Sequence, residues 1–255
     1  MKTEWDYTNL AQAYLKRPEY AKEAIQKMFE ITEMEKKPKR GGVRVCDVGA
    51  GAAHLTLELA KEGFDVYAVE PNDAMRANGI NRTREYPNVK WFEGVGEQTG
   101  MESDFFDLVT FGSSFNVCNR QLALQETNRI LKSGGYFACM WNHRDLEDPL
   151  QKEIEAIIKR NIDDYSYGTR REEQTEVINQ SGLFEEVQFV SGRVEHTILA
   201  EDFIEGWKSH ATVYRQSQEV FDKINKEIRA YVESCQKEYL IVPYTTRIWI
   251  ARSKK

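Results

Sequence analysis

The stretch Val45-Cys46-Asp47-Val48-Gly49-Ala50-Gly51-Ala52-Ala53 sets an acidic residue and two glycines at the end of an apolar, β-like run. Glycines at such a point let the backbone turn sharply and approach a ligand closely, beside the N-terminus of the helix that follows. Glu70 ends the next apolar run, roughly 20 residues further on, where a carboxylate can accept both hydroxyls of a ribose. An isolated Gly-x-Gly is explained equally well by an ordinary tight turn. Here small residues recur after later runs as well, at Gly94-Val95-Gly96-Glu97 and at Phe111-Gly112-Ser113-Ser114. Ligands bind at the carboxyl ends of the strands in open α/β sheets, so the spacing points to a nucleotide-type site.

The elements that must position these residues follow from periodicity. Strands are predicted at Val43–Val48, Asp65–Glu70, Val89–Phe92, Leu108–Gly112 and Tyr136–Trp141, with helices at Leu55–Lys61, Ala74–Arg84 and Leu122–Leu131 between them. This alternation is the pattern of a parallel sheet with helices on both faces. Gly63 and Gly134 fall where helix C-caps are expected. Ahead of the core, Trp5 to about Thr32 reads as one or two helices, with Tyr7, Leu10, Ala11 and Tyr14 at helical spacing and Pro18 interrupting. Beyond Asn142, helices are predicted at Leu150–Asn161, Glu172–Ser181 and Phe221–Tyr231, and strands at Val187–Val190 and Val194–Leu199. Tyr239–Ala251 reads as a final strand broken at Pro243. The expected organisation is an N-terminal helical lid (1–40), a binding core (41–142), a cap or insertion with a core strand (143–238) and a terminal core strand (239–255).

The 255 residues carry 35 Lys and Arg against 41 Asp and Glu, a net charge of −6, so no global cationic field attracts a phosphate backbone or an anionic membrane. The one local basic cluster, Lys36, Lys37, Lys39 and Arg40 with Pro38 and Gly41, reads as a solvated loop. Cys46, Cys118, Cys139 and Cys235 are too widely spaced for a disulfide framework or a zinc site. With neither an apolar signal core nor a membrane-length run, a cytoplasmic protein is expected, with no membrane partner, no nucleic-acid partner and no metal.

In these residues the chain resembles the class I S-adenosylmethionine-dependent methyltransferases. Their acidic-x-Gly-x-Gly-x-Gly motif is matched by Asp47, Gly49 and Gly51, with Ala53 at the third glycine. Their second motif is matched by Glu70, their adenine-loop position by Gly96-Glu97, and their turn before the fifth strand by Ile130-Leu131-Lys132-Ser133-Gly134-Gly135, with Ser133 in place of proline. The resemblance implies a Rossmann-like α/β sheet, mostly parallel with an antiparallel last strand, with N-terminal helices and a helical and strand insertion capping the active site. It implies S-adenosyl-L-methionine as cofactor, held by Asp47, Gly49, Ala50, Gly51, Glu70, Pro71, Asn72, Met75, Gly96, Glu97, Gly112 and Ser113. The general layout is similar to the broad group that includes trans-aconitate methyltransferases. Trp5-Asp6-Tyr7 and Arg17-Pro18-Glu19-Tyr20 resemble methyltransferases of bacterial surface-polysaccharide clusters, including those that act on a phosphoramidate. Both acceptors would be small, anionic and oxygen-nucleophilic, with N- or C-methylation as the alternative.

A sulfonium methyl is already a good electrophile, so the protein chiefly supplies alignment and water exclusion, and a base only if the acceptor must lose a proton. Tyr7, Tyr14, Arg17, Ser114, Asn116, Arg144, Tyr214 and Arg215 are the candidate acceptor contacts, and His210, His143 and Tyr14 the candidate catalytic groups. His54 begins a helix and His196 lies in a strand, away from the expected site. A nicotinamide oxidoreductase is disfavoured because His54 occupies the third glycine position of the dinucleotide fingerprint. A nucleic-acid base methyltransferase is disfavoured because Gly112-Ser113-Ser114-Phe115 stands where an Asn/Asp-Pro-Pro-aromatic grip on a flipped base would be.

Overall fold

The computed structural model describes residues 6–36 and 42–255. Trp5, most of the basic cluster (Lys37, Lys39, Arg40), Pro38 and Gly41 lie outside the described residues.

Two helices, α1 (Ala11–Tyr14) and α2 (Lys22–Ile31), precede a seven-stranded sheet of order β3-β2-β1-β4-β5-β7-β6. Its strands are β1 (Arg44–Val48), β2 (Asp65–Val69), β3 (Val89–Phe92), β4 (Phe106–Gly112), β5 (Leu131–Arg144), β6 (Phe184–Leu199) and β7 (Tyr239–Ser253). The first five pair in parallel, and β7 runs antiparallel between β5 and β6. Helices α3 (His54–Lys61), α4 (Asp73–Thr83) and α5 (Arg120–Ile130) make the crossovers. The order reverses between β1 and β4, and a crevice opens at such a switch point. Burial on both faces explains why β4 reads as a continuous apolar run, with Phe106, Leu108, Val109 and Phe111 fully buried.

One core packs α2 and α3 on the sheet through Met28, Phe29, Leu55 and Leu59. A second fills the other face with Phe106, Phe111, Phe115, Phe137 and Trp249. A third joins α6 (Pro149–Asn161), α8 (Ala200–Trp207) and α10 (Gln218–Ser234) to the protruding ends of β6 and β7 through Ile158, Trp207, Ile228 and Val242. Helices α7 (Thr175–Gln180) and α9 (Ala211–Gln216) complete the insertion, in which a 3-10 turn, Gly168–Arg171, precedes α7. Among the described residues no helix is long and apolar enough to cross a membrane.

Four expectations are corrected. The strands read as Val187–Val190 and Val194–Leu199 are one strand, because Gly192 does not break it: a Cβ there would stand 3.1 Å from Ala24 of α2, so the glycine lets the helix pack against the strand. Pro243 does not interrupt β7. It falls one residue past Tyr244, the last partner of β5, where a missing N–H costs no bond to that neighbour. Gly134 is not a helix cap. It lies inside the irregular start of β5 at φ +68°, after α5 has ended at Ile130, whereas Gly63 at φ +83° does follow the end of α3. The helix expected at Glu172–Ser181 is confined to α7.

Asn142, at the carboxyl end of β5, donates to the carbonyls of Pro18 and Glu19 and accepts from Thr246, whose hydroxyl in turn accepts from the Ala21 amide at 2.7 Å. These bonds fasten the opening segment over the ligand edge of the sheet.

Candidate active site

After β1 the chain turns through Gly49 (φ +66°), Gly51 (φ +56°) and Ala53 (φ +67°) into α3. A Cβ at Gly49 would lie 2.4 Å from the Ser114 Cβ, so this turn admits glycine alone. The Glu70 carboxylate, 6% exposed, accepts from the Gly51 amide at 2.9 Å and the Asn72 amide at 2.8 Å. One bond on each oxygen fixes its orientation and leaves each a lone pair for a ligand. Burial raises its pKa, opposed by those amides. Asp47, 1% exposed, accepts from Thr56 at 2.7 Å and Thr110 at 2.9 Å, and burial holds its carboxyl up at about 6 against the two hydroxyls.

Two cavities meet at this turn. The larger, about 540 Å³, is lined by Gly49, Gly51, Glu70, Pro71, Asn72, Met75, Gly96, Glu97, Gly112 and Ser113, among others. Asn72 also caps α4 by accepting from the Met75 amide at 3.0 Å. The smaller, about 130 Å³, is lined by Asp47, Ala50, Arg17, His143, Arg144 and His210, among others. Tyr7, Tyr14, Gly49, Gly51, Gly112, Ser113 and Asn116 line both, so they form the wall through which the cavities communicate. Ser113 stands there at φ +61°, unusual for a residue with a side chain, and its hydroxyl meets that of Tyr20 at 3.0 Å.

Arginine and histidine dominate the smaller cavity. Arg17 donates to the Ser209 hydroxyl at 2.7 Å and carbonyl at 3.0 Å, joining the opening segment to the insertion. The buried Arg144 pairs with Glu155 at 2.5 Å through Nη2 while its Nη1, also buried, has no partner. Arg170 and Arg171, from the 3-10 turn, stand over the Tyr167 ring with no carboxylate partner among the described residues. Asp47 is the one carboxylate in this wall. His210 stacks on Trp207 with ring centroids 3.9 Å apart, and burial together with Arg17, Arg144 and Arg170 pushes its pKa well down. His143 is pushed down to about 4, mainly by burial. Its Nε2 lies 3.1 Å from the Arg170 carbonyl, so that nitrogen carries the proton. Burial raises the pKa of Tyr7 and Tyr14, which keeps both phenols as hydrogen-bond donors.

Several sequence expectations require correction. Tyr214 and Arg215 line neither cavity: Tyr214 packs edge-on against Phe221, and Arg215 is exposed on α9. His210 precedes that helix as its N-cap residue, and its ring stacks back onto Trp207. Ser114 lines the larger cavity only, and its hydroxyl is spent on the Val48 carbonyl at 2.5 Å. His54 and His196, expected away from the site, line the smaller cavity with the other two histidines. Arg170, Arg171, Trp207 and Ser209 carry no site role in the sequence reading, and Tyr20 enters it only within the Arg17–Tyr20 resemblance. The one available signal was the unpatterned Arg170-Arg171 pair after Gly168.

Residues 46–139 match the methyltransferase domain family. A methyltransferase of Mycobacterium tuberculosis is 29% identical over 58% of this chain and 56% of that protein. The ubiquinone/menaquinone biosynthesis C-methyltransferase of Proteus mirabilis is 26% identical over 57% of this chain and 65% of its own. The match thus spans little more than half the length of these relatives. Among solved structures, the YcgJ protein of Bacillus subtilis superposes with a TM-score of 0.55 at 16% identity, covering 91% of this chain and 99% of that one. Phosphoethanolamine N-methyltransferase 2 of Haemonchus contortus, solved with S-adenosyl-L-methionine, gives 0.51 at 17%, covering 89% and 52%. At these identities the structural likeness speaks to the fold, while the domain match and the glycine turn speak to the family. Residues 46–139 are thus similar to a methyltransferase domain, set in a fold shared with solved methyltransferases.

Proposed function

We propose that the chain transfers the methyl group of S-adenosyl-L-methionine to an oxygen of a small anionic metabolite, without a metal. The observation that carries this reading is the junction of the two cavities: one is large and edged by Glu70 and the glycine turn, the other small and walled by arginines, and they share Tyr7, Tyr14, Ser113 and Asn116. The cradle suits the cofactor. Gly49 lets the turn close against Ser114 with no room for a Cβ between them, Glu70 keeps lone pairs for ribose hydroxyls, and Asp47 sits under the turn to face an ammonium group. Asn72 and Met75 edge the adenine side, with Gly96 and Glu97 across the cavity.

When bound, the cofactor supplies an electrophilic methyl group, and the protein's part is alignment and exclusion of water. Tyr7 and Tyr14 donate hydrogen bonds at the shared wall, and the arginines hold the acceptor's charge. A neutral His210 can take a proton from a hydroxyl acceptor. The quinone C-methyltransferase relative supports a second reading, methylation at carbon. Four arginines among the aromatic and aliphatic residues of that wall favour a charged acceptor over a neutral quinone.

Calorimetry with S-adenosylhomocysteine, then transfer of labelled methyl groups to a panel of anionic, neutral and cationic small molecules, tests both halves. Preference for anions is expected, and exclusive methylation of neutral or cationic acceptors would refute the acceptor assignment.

A further inference from the structure

The arginines of the smaller cavity are not evenly spread. Arg17 lies beside the shared wall, its guanidinium 5.3 Å from the centroid of the Tyr14 ring and its donors committed to Ser209. Arg144, Arg170 and Arg171 line the smaller cavity and have no part in the larger one. Glu155, the partner of Arg144, is already taken three times over: it accepts from Arg144 at 2.5 Å, from Tyr167, and pairs with Lys159 at 3.3 Å, and the wall's own carboxylate, Asp47, accepts from Thr56 and Thr110. One carboxylate cannot balance three guanidinium groups, and the Nη1 of Arg144 remains buried without any acceptor. The cluster is strained electrostatically. Arg170 is pushed down to about 10 by burial and by the charges of Arg17, Arg144 and Arg171, with Tyr165 in partial opposition. Arg171 is lowered for the same first reason. No histidine on this wall relieves the imbalance, because all four are held neutral by burial near neutral pH.

Like charges clustered this way, the buried Arg144 beside the half-buried Arg170 and Arg171, are stabilised by a further group of opposite charge. A tetrahedral oxyanion does so best here. It presents oxygens in several directions to three guanidinium groups, and it can carry a second negative charge that a carboxylate lacks. We infer that Arg144, Arg170 and Arg171 form a subsite for a phosphoryl group of the acceptor. This rests on the proposed methyltransferase reading and assigns its acceptor a chemical class, a phosphorylated small molecule. Held by that group, the rest of the molecule reaches the shared wall of Tyr14, Ser113 and Asn116, where the methyl group arrives. The phosphoryl group then serves as the handle of the acceptor.

The test uses inorganic phosphate as probe on the full chain saturated with S-adenosylhomocysteine, at fixed ionic strength, followed by calorimetry and thermal unfolding. Phosphate should bind at least tenfold more tightly than acetate. The R170Q/R171Q double variant should lose tenfold or more of the phosphate affinity while binding S-adenosylhomocysteine within twofold of the parent. Substituting Arg144 would strand Glu155 and destabilise the fold, so it is left in place. Equal binding of phosphate and acetate by the parent chain overturns the subsite without recourse to any variant, as does unchanged phosphate affinity in R170Q/R171Q. Failure of the parent to bind S-adenosylhomocysteine would instead overturn the methyltransferase reading, so the two failures are told apart in one titration series.

Discussion

Arg17 and Ser209, 192 positions apart in sequence, are joined by two hydrogen bonds, from Nε to the serine hydroxyl at 2.7 Å and from Nη2 to its carbonyl at 3.0 Å. This clasp ties the opening segment to the insertion across the mouth of the smaller cavity. Arg17→Ala should open it and cut methyl transfer tenfold or more, with S-adenosylhomocysteine affinity within twofold of the parent. Arg17→Lys should not restore transfer, because an ammonium cannot reproduce the fork that reaches both Ser209 atoms. Parallel measurements of binding and transfer decide the matter. Full transfer by Arg17→Ala would make the clasp structural only.

Glu70→Ala should weaken S-adenosylhomocysteine binding by about 2 kcal/mol, roughly thirtyfold, since a ribose would lose two charge-assisted acceptors. The substitution also orphans the Gly51 and Asn72 amides, which orient the turn. Calorimetry should find Glu70→Asp intermediate. Normal binding by Glu70→Ala would remove Glu70 from the cofactor cradle.

At Gly49 and Gly100 the same substitution should have different consequences. Both have positive φ, +66° and +74°, but a Cβ at Gly49 collides with Ser114 whereas one at Gly100 meets nothing within 4 Å. Gly100→Ala should cost about 1 kcal/mol of backbone strain and leave ligand binding intact. Gly49→Ala should abolish S-adenosylhomocysteine binding. Similar binding by the two variants would show that the Gly49–Ser114 contact does not shape the ligand cradle.

Stability should fall on acidification from pH 7 to pH 5. His54 is held down to about 3 and His143 to about 4, chiefly by burial, and His196 and His210 are lowered for the same reason. An unfolded histidine takes up its proton near pH 6.5, so stability present above that value is lost as pH falls toward the folded values. Asp47, raised from 3.8 to about 6, acts oppositely, as does Glu70, because the folded chain holds those protons first. Four histidines outweigh two carboxyls, and each net proton is worth about 1.4 kcal/mol per pH unit. Unfolding temperatures across this range in a phosphate-free buffer check the sign. A constant or rising value on acidification would contradict neutral histidines.

Local pattern was enough for the cofactor side. The turn from Asp47 to Gly51, the placement of Glu70 at the end of β2 and the parallel core are consequences of runs of a few residues. An apolar strand, a left-handed turn and a helix start each leave a mark in their own residue types. The arginine-lined cavity was only partly legible: Arg17, Arg144 and His210 were singled out, but nothing local placed them together. Arg17, Arg144, Arg170 and His210 come from four separate segments, and only the antiparallel return of β7, with β6 and the insertion beyond it, brings them to one cavity. His54 and Tyr214 show the reason. A helix-opening histidine faces a cavity because a segment far away in the chain forms the opposite wall, and a tyrosine four residues after His210 faces away because the chain turns at His210 before α9 begins. Side-chain direction across such a turn is set by packing against distant elements, which no local periodicity encodes.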